Sequence, residues 1–125
     1  MSDKLTPAAI EAALCRFTGT ENYYRHIGKL LLTDGAKFLA DNAGCYWLYD
    51  IVWSVLPKLP EDSFAVVTLT VDLDARRGVV VIGDGNDRKL YRQRIPFTDF
   101  PLAEITLYLE DAEEGFKVLL LPSEH

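Results

Sequence analysis

From Asn42 to Leu56 the chain reads NAGCYWLYDIVWSVL, apolar at almost every position. A helix turns about 100° per residue, which puts Leu48, Ile51, Val52 and Val55 on one face and Tyr46, Tyr49 and Trp53 on a second beside it. Asp50 and Ser54 share what remains. A surface helix shows one apolar stripe. A helix apolar around most of its circumference is buried on nearly all sides or meets a partner. Asn42 is the expected N-cap, and Pro57 and Pro60 stop the helix. The stretch falls short of the roughly 20 apolar residues that cross a bilayer.

Upstream, Thr6 and Pro7 predict an N-cap and first helical residue. Ile10, Ala13, Leu14 and Phe17 supply a helical stripe that ends at Gly19. The mixed run from Thr20 to Ile27 fits a strand or an irregular crossing segment. Thr33 is the expected cap of a short helix, Asp34 to Asp41, with Asp34 placed to suit the helix dipole. Downstream of the prolines the period changes from helical to alternating. From Ser63 to Leu73, Ala65, Val67, Leu69, Val71 and Leu73 point one way and the intervening residues the other, the mark of a half-buried strand. Val79 to Ile82, Lys89 to Ile95, Ala103 to Glu110 and Phe116 to Leu121 follow. A two-residue hairpin turn is expected at Asp84-Gly85-Asn86-Asp87, with positive φ at Gly85 or Asn86. Strands joined so briefly are antiparallel neighbours. The prediction is one α+β domain spanning 1–125, in two layers, with N-terminal helices packed on one face of a C-terminal antiparallel sheet of about five strands.

Charge narrows the partners. The 125 residues carry a net charge of −6. Residues 1–62 hold six basic and eight acidic residues, and residues 63–125 hold seven and eleven. Neither half is a basic patch, so no direct nucleic-acid binding is expected. Cys15 and Cys45 are unclustered, which points to a reducing compartment. The first residues carry an acid and no long apolar run, unlike a signal peptide. A cytoplasmic location is expected, with no membrane association.

Chemistry-bearing residues are densest from Glu21 to His26, where Glu21, Tyr24, Arg25 and His26 can act as acid, base or anion clamp. Asp34 and Asp99 are further acids for such a site. The same run also reads structurally, with Glu21 and Arg25 paired locally and the tyrosines wedged between helices. Metal binding needs three or four clustered ligands, which this sequence does not offer. Asp72-Leu73-Asp74 opens like a calcium loop, but Gly78 comes one residue late and no closing glutamate follows. Phosphate loops and serine elbows are missing, so no cofactor is expected. Cys45 reads as an inert buried thiol. Arg88, Arg92 and Arg94 share one strand face, and Glu104 and Glu110 lie on the outward face of the next strand. Cross-strand charge pairs are the expected outcome there.

The motifs FTGTE (Phe17 to Glu21), TDG (Thr33 to Gly35), YWLYDI (Tyr46 to Ile51), DGN (Asp84 to Asn86), FTDFPL (Phe97 to Leu102) and LLLPSE (Leu119 to Glu124) together resemble a family of small bacterial proteins of unknown function. The resemblance spans nearly the whole chain. It implies an intact single domain and no reaction type. Two functional classes follow from the residues. One is a non-catalytic interaction module, a homodimer or a binder of another protein, using Tyr46, Tyr49 and Trp53. The other is a small enzyme or small-molecule binder using the Glu21 to His26 run. No spacing meets the nucleophile, base and orienter test, which favours the first.

Overall fold

The computed structural model describes residues 6–59, 64–84 and 88–125. Thr6 caps α1 (Pro7–Leu14), its Oγ1 accepting the Ala9 amide at 3.1 Å. Pro7 sits in the first turn, where no N–H is needed. The helix stops at Leu14, short of the expected Phe17, and two turn bonds carry the chain on to Phe17. The undecided segment resolves into a hairpin of β1 (Tyr23–Ile27) and β2 (Leu30–Thr33). Gly28 makes its turn with φ +53, and a Cβ there would lie 2.3 Å from the Trp53 ring. Both the backbone and the ring demand glycine.

Thr33 then caps α2 (Asp34–Ala43), its Oγ1 accepting the Ala36 amide at 3.2 Å. Asn42 is not the N-cap of the next helix. It lies inside α2, where its side-chain amide donates to the Phe38 carbonyl at 2.9 Å. That bond gives the Phe38 carbonyl a second donor beside its helical amide, and Gly44 in the left-handed conformation ends the helix. Cys45 precedes α3 (Tyr46–Val55) without a side-chain cap. A 3-10 turn, Leu56–Lys58, holds Pro57 and closes α3.

The remaining strands are β3 (Ala65–Asp72), β4 (Arg77–Gly83), β5 (Lys89–Ile95), β6 (Glu104–Asp111) and β7 (Lys117–Leu120). The fold is α+β, with three helices and a mostly antiparallel sheet of seven strands ordered β1-β2-β7-β6-β3-β4-β5. The expected count of about five omitted β1 and β2. The β2–β7 pair is parallel, against the expectation of an all-antiparallel sheet. β4 and β5 pair antiparallel, with the Asp84 amide donating to the Arg88 carbonyl at 3.2 Å. Their expected turn at Gly85 and Asn86 lies outside the described residues, as does Pro60.

Alternation decides what each strand buries. Ala65, Val67, Leu69 and Val71 of β3 join Val80, Ile82, Leu107, Leu109 and Leu119 in a core shared with Leu39, Leu48, Tyr49 and Val52 of the helices. Burying each such leucine contributes about 1.5–3 kcal/mol. This side is called the inner face. On the outer face Val66, Thr68, Val79, Val81, Thr106 and Tyr108 remain half exposed. Of the expected inward set on β6, Leu107 and Leu109 are buried and Ile105 half-buried. Ala103 precedes the strand and is exposed, its carbonyl accepting the Val71 amide at 2.8 Å.

The loop 96–101 plugs one end of this core. Thr98 is buried, its amide donating to the Arg76 carbonyl at 2.9 Å and its hydroxyl accepting the Phe100 amide at 3.1 Å. Phe100 is fully buried, while Phe97 is 71% exposed.

Register overturns the expected charge pairs. Arg92 and Arg94 stand opposite Val81 and Val79, on the outer face at the β5 edge. Glu104 and Glu110 lie on β6, separated from β5 by β3 and β4. Three strand spacings are about 14 Å, beyond ion-pair reach. Arg92 and Arg94 make no ion pair among the described residues.

Candidate functional site

β1 splits the Glu21 to His26 run between two faces. Tyr24 and His26 are half-buried on the helix side, and Tyr23, Arg25 and Ile27 are exposed on the other. Tyr24 hydrogen-bonds the Asp34 carboxylate, which raises the phenol pKa. The Glu21 amide donates to Asp34 Oδ2 at 3.0 Å and holds that carboxyl below the usual value. His26 Nε2 lies 2.7 Å from Asp50 Oδ1, with the imidazole stacked on Tyr46 at 5.4 Å. Lys37 links the two halves, lying over the Tyr24 ring and 2.8 Å from Asp41 Oδ2. The Tyr46 hydroxyl donates to Asp41 in turn. The result is a polar strip across β1, α2 and α3, and its groups are satisfied by one another.

Two sequence candidates sit differently. Arg25 does not pair with Glu21. Its Nε donates to the Gly28 carbonyl at 2.7 Å, because strand alternation turns it to the outer face. Asp99 belongs to the loop tied to Arg76, on the far side of the sheet from β1. Asp50, Asp41 and Lys37 were missed. Each is a polar residue at a helix surface, and only tertiary packing brings them to β1.

The aromatic side of α3 is partly covered by its own chain: Tyr49 is buried, and Tyr46 and Trp53 are half-buried. Tyr49 is 0% exposed, its hydroxyl donating to the Ala36 carbonyl of α2 at 2.7 Å. Burial pushes that phenol well above its ordinary pKa. Trp53 packs over Gly28 of the hairpin, and Tyr46 is half-buried against α2. Tyr49 is therefore a core residue and offers no surface to a partner. Ile51, expected in the core, is only half-buried. Burial also pushes the Cys45 thiol up to about 12, so it stays protonated at neutral pH.

The outer face carries the concavity. Leu31 pairs with Val118 and Val118 with Glu110, in a row adjacent to the inward Leu32, Leu119 and Leu109. That row lines a cleft of about 630 Å³. Leu31, Val118 and Leu120 supply an apolar lining, joined by Tyr23 and Phe116. Glu110, Asp111, Glu113 and Glu114 add carboxylates. Glu110 Oε1 pairs with His125 Nε2 at 2.7 Å, and Asp111 pairs with Lys117. The carboxylates of Glu113 and Glu114 make no ion pair among the described residues. Among the described residues no three His, Cys, Asp or Glu side chains converge as metal ligands. No helix among them is long and apolar enough to cross a membrane.

Residues 8–125 match the profile of DUF6876, a family of unknown function. The chain belongs to this family. No curated protein and no solved structure matches it.

In this DUF6876 chain three motif segments meet at the N-terminus of α2. Thr20 Oγ1 accepts the Asp34 amide at 2.9 Å. Glu124 accepts from the Thr33 hydroxyl at 2.7 Å, the Gly35 amide at 3.1 Å and the Leu121 amide at 3.0 Å. The carboxylate suits the positive end of the helix dipole. Gly35 makes the approach possible, since a Cβ there would lie 2.5 Å from the same carboxylate. FTGTE, TDG and LLLPSE are thus parts of one clamp, and Thr20, Thr33 and Glu124 also line the cleft.

Proposed function

We propose that this DUF6876 protein is a single-domain, non-catalytic interaction module of the cytoplasm, two-layered, with its partner surface on the outer face of the sheet. The observation that carries this is the cleft of about 630 Å³, which combines an apolar floor with the carboxylates of Glu113 and Glu114, free of ion pairs among the described residues. Recognition sites are concave, mostly apolar and furnished with a few placed polar groups. The charge selects a cationic segment with apolar residues between its basic ones, extended so that alternate side chains enter the cleft. The imidazole–carboxylate pair that lines the cleft, His125 with Glu110 at 2.7 Å, has no hydroxyl or thiol hydrogen-bonded to it among the described residues, which supports binding over turnover.

The test is amide-resolved NMR with two synthetic decapeptides, one alternating leucine with arginine and one alternating leucine with glutamate. The basic peptide is expected to shift Leu31 and Val118 to Leu120, more weakly at high salt. Equal response to both peptides, or none, overturns the proposal.

A small-molecule binder or small enzyme is the second reading. It rests on His26 held 2.7 Å from Asp50, an imidazole oriented by a carboxylate. His26→Gln distinguishes the two, because it leaves peptide binding on the outer face unchanged if the first holds.

A further inference from the structure

We infer that the cationic partner is a second copy of this chain, with Arg92 and Arg94 of each copy docking against the acidic cleft of the other. The inference rests on the outer face being the partner surface. That face carries both signs of charge, well apart. Arg92 and Arg94 stand at the β5 edge, beside Val81 and Val79. Glu110 lines the cleft from β6, three strand spacings away. Neither arginine finds a carboxylate among the described residues, and the carboxylates of Glu113 and Glu114 make no ion pair there, although Lys29 Nζ donates to the Glu114 carbonyl at 2.9 Å.

Two separated complementary patches on one face are what an isologous two-fold interface needs, since each contact then occurs twice. The axis lies in the interface, midway between the patches. It passes over the boundary between β3 and β4, where Val66, Thr68, Val79 and Val81 form a floor of short β-branched side chains. Such a floor permits close sheet-on-sheet packing at about 10 Å. Size is compatible as well. Seven strands of four to eight residues, about 4.8 Å apart and rising about 3.3 Å per residue, give about 700 Å² of projected face. A standard interface takes about 800 Å² per partner. Each copy carries a net charge of −6, so global repulsion opposes assembly and the local pairs must be specific.

A charge-swap experiment tests this. Sedimentation of the wild type is expected to show a dimer. Arg92→Glu/Arg94→Glu and Glu110→Arg/Glu113→Arg should each weaken it at least about tenfold, because like charges then face each other. Mixed in equal amounts, the two variants should form a heterodimer, since both contacts are again between opposite charges. Circular dichroism confirms that each variant is folded. A second pair, Arg92→Gln/Arg94→Gln and Glu113→Gln, serves if a reversal prevents folding, and each should weaken the dimer. A monomeric wild type, variants that remain dimeric, or a mixture that fails to associate would each overturn the inference. A monomeric wild type whose cleft still binds the leucine–arginine peptide overturns only the second copy as partner. A wild type that neither dimerises nor binds the peptide overturns the outer-face proposal too.

Discussion

On the inner face Leu69, Leu107 and Leu109 are at most 1% exposed, while Val66, Thr68 and Tyr108, one residue along the same strands, stay half exposed. The strands are shared, so backbone pairing is identical for both sets. What differs is what lies opposite. Inner residues meet Leu39, Leu48 and Val52 of the helices and gain the full transfer and packing energy. Outer residues meet solvent or side chains of their own face, as Tyr108 meets Phe64 and His125, and their contribution to stability is correspondingly small. Stability is concentrated on one side of the sheet, and the proposed recognition surface lies on the other.

Truncation measures that division most strongly on the inner side. Leu107→Ala should cost about 2–5 kcal/mol in urea denaturation, as a buried leucine leaving a cavity. A loss below about 1 kcal/mol would break the comparison. Tyr49→Phe comes next, at about 1–2 kcal/mol, because it removes the buried hydroxyl bond to the Ala36 carbonyl, which then keeps only its amide partner within α2. An unchanged melting temperature would show that water replaces the hydroxyl. Glu124→Ala sits on the boundary between the faces and should cost about 0.5–2 kcal/mol through loss of the α2 cap. Its amide signature is lost protection of Gly35, and a protected Gly35 in the variant would separate the clamp from helix stability. Smallest of all, Val81→Thr on the outer face should change monomer stability within about 0.5 kcal/mol. A large loss there would mean that the outer face is also core.

The sequence showed the inner face clearly where only one side of a strand is covered. In β3 the alternation from Ala65 to Val71 matches the burial residue for residue, since the two faces have different environments, whereas Leu73, expected on the same side, lies past the strand end and is exposed. β2 was invisible for the converse reason. Leu30-Leu31-Leu32 is a continuous apolar run, because Leu30 and Leu32 enter the core and Leu31 lines the cleft on the opposite face. Interior parallel strands commonly read this way. The polar strip was half legible. Tyr24, His26 and Asp34 stood out in sequence, but Asp50 and Lys37 join them only through the packing of α2 and α3 on β1. The cleft could not be read at all, being assembled from residues as distant as Thr20 and His125.

The parallel pairing of β2 with β7 also sets a timetable. Leu30 cannot find Lys117 until the chain between them has been made, which at about 5–20 residues per second takes on the order of ten seconds. Until then β2 has β1 on one side and an open ladder on the other. Three consecutive leucines with unpaired amides are a template for other strands. A nascent chain therefore carries its most adhesive segment early and sheathes it late, so chaperone dependence during synthesis should centre on residues 30–32.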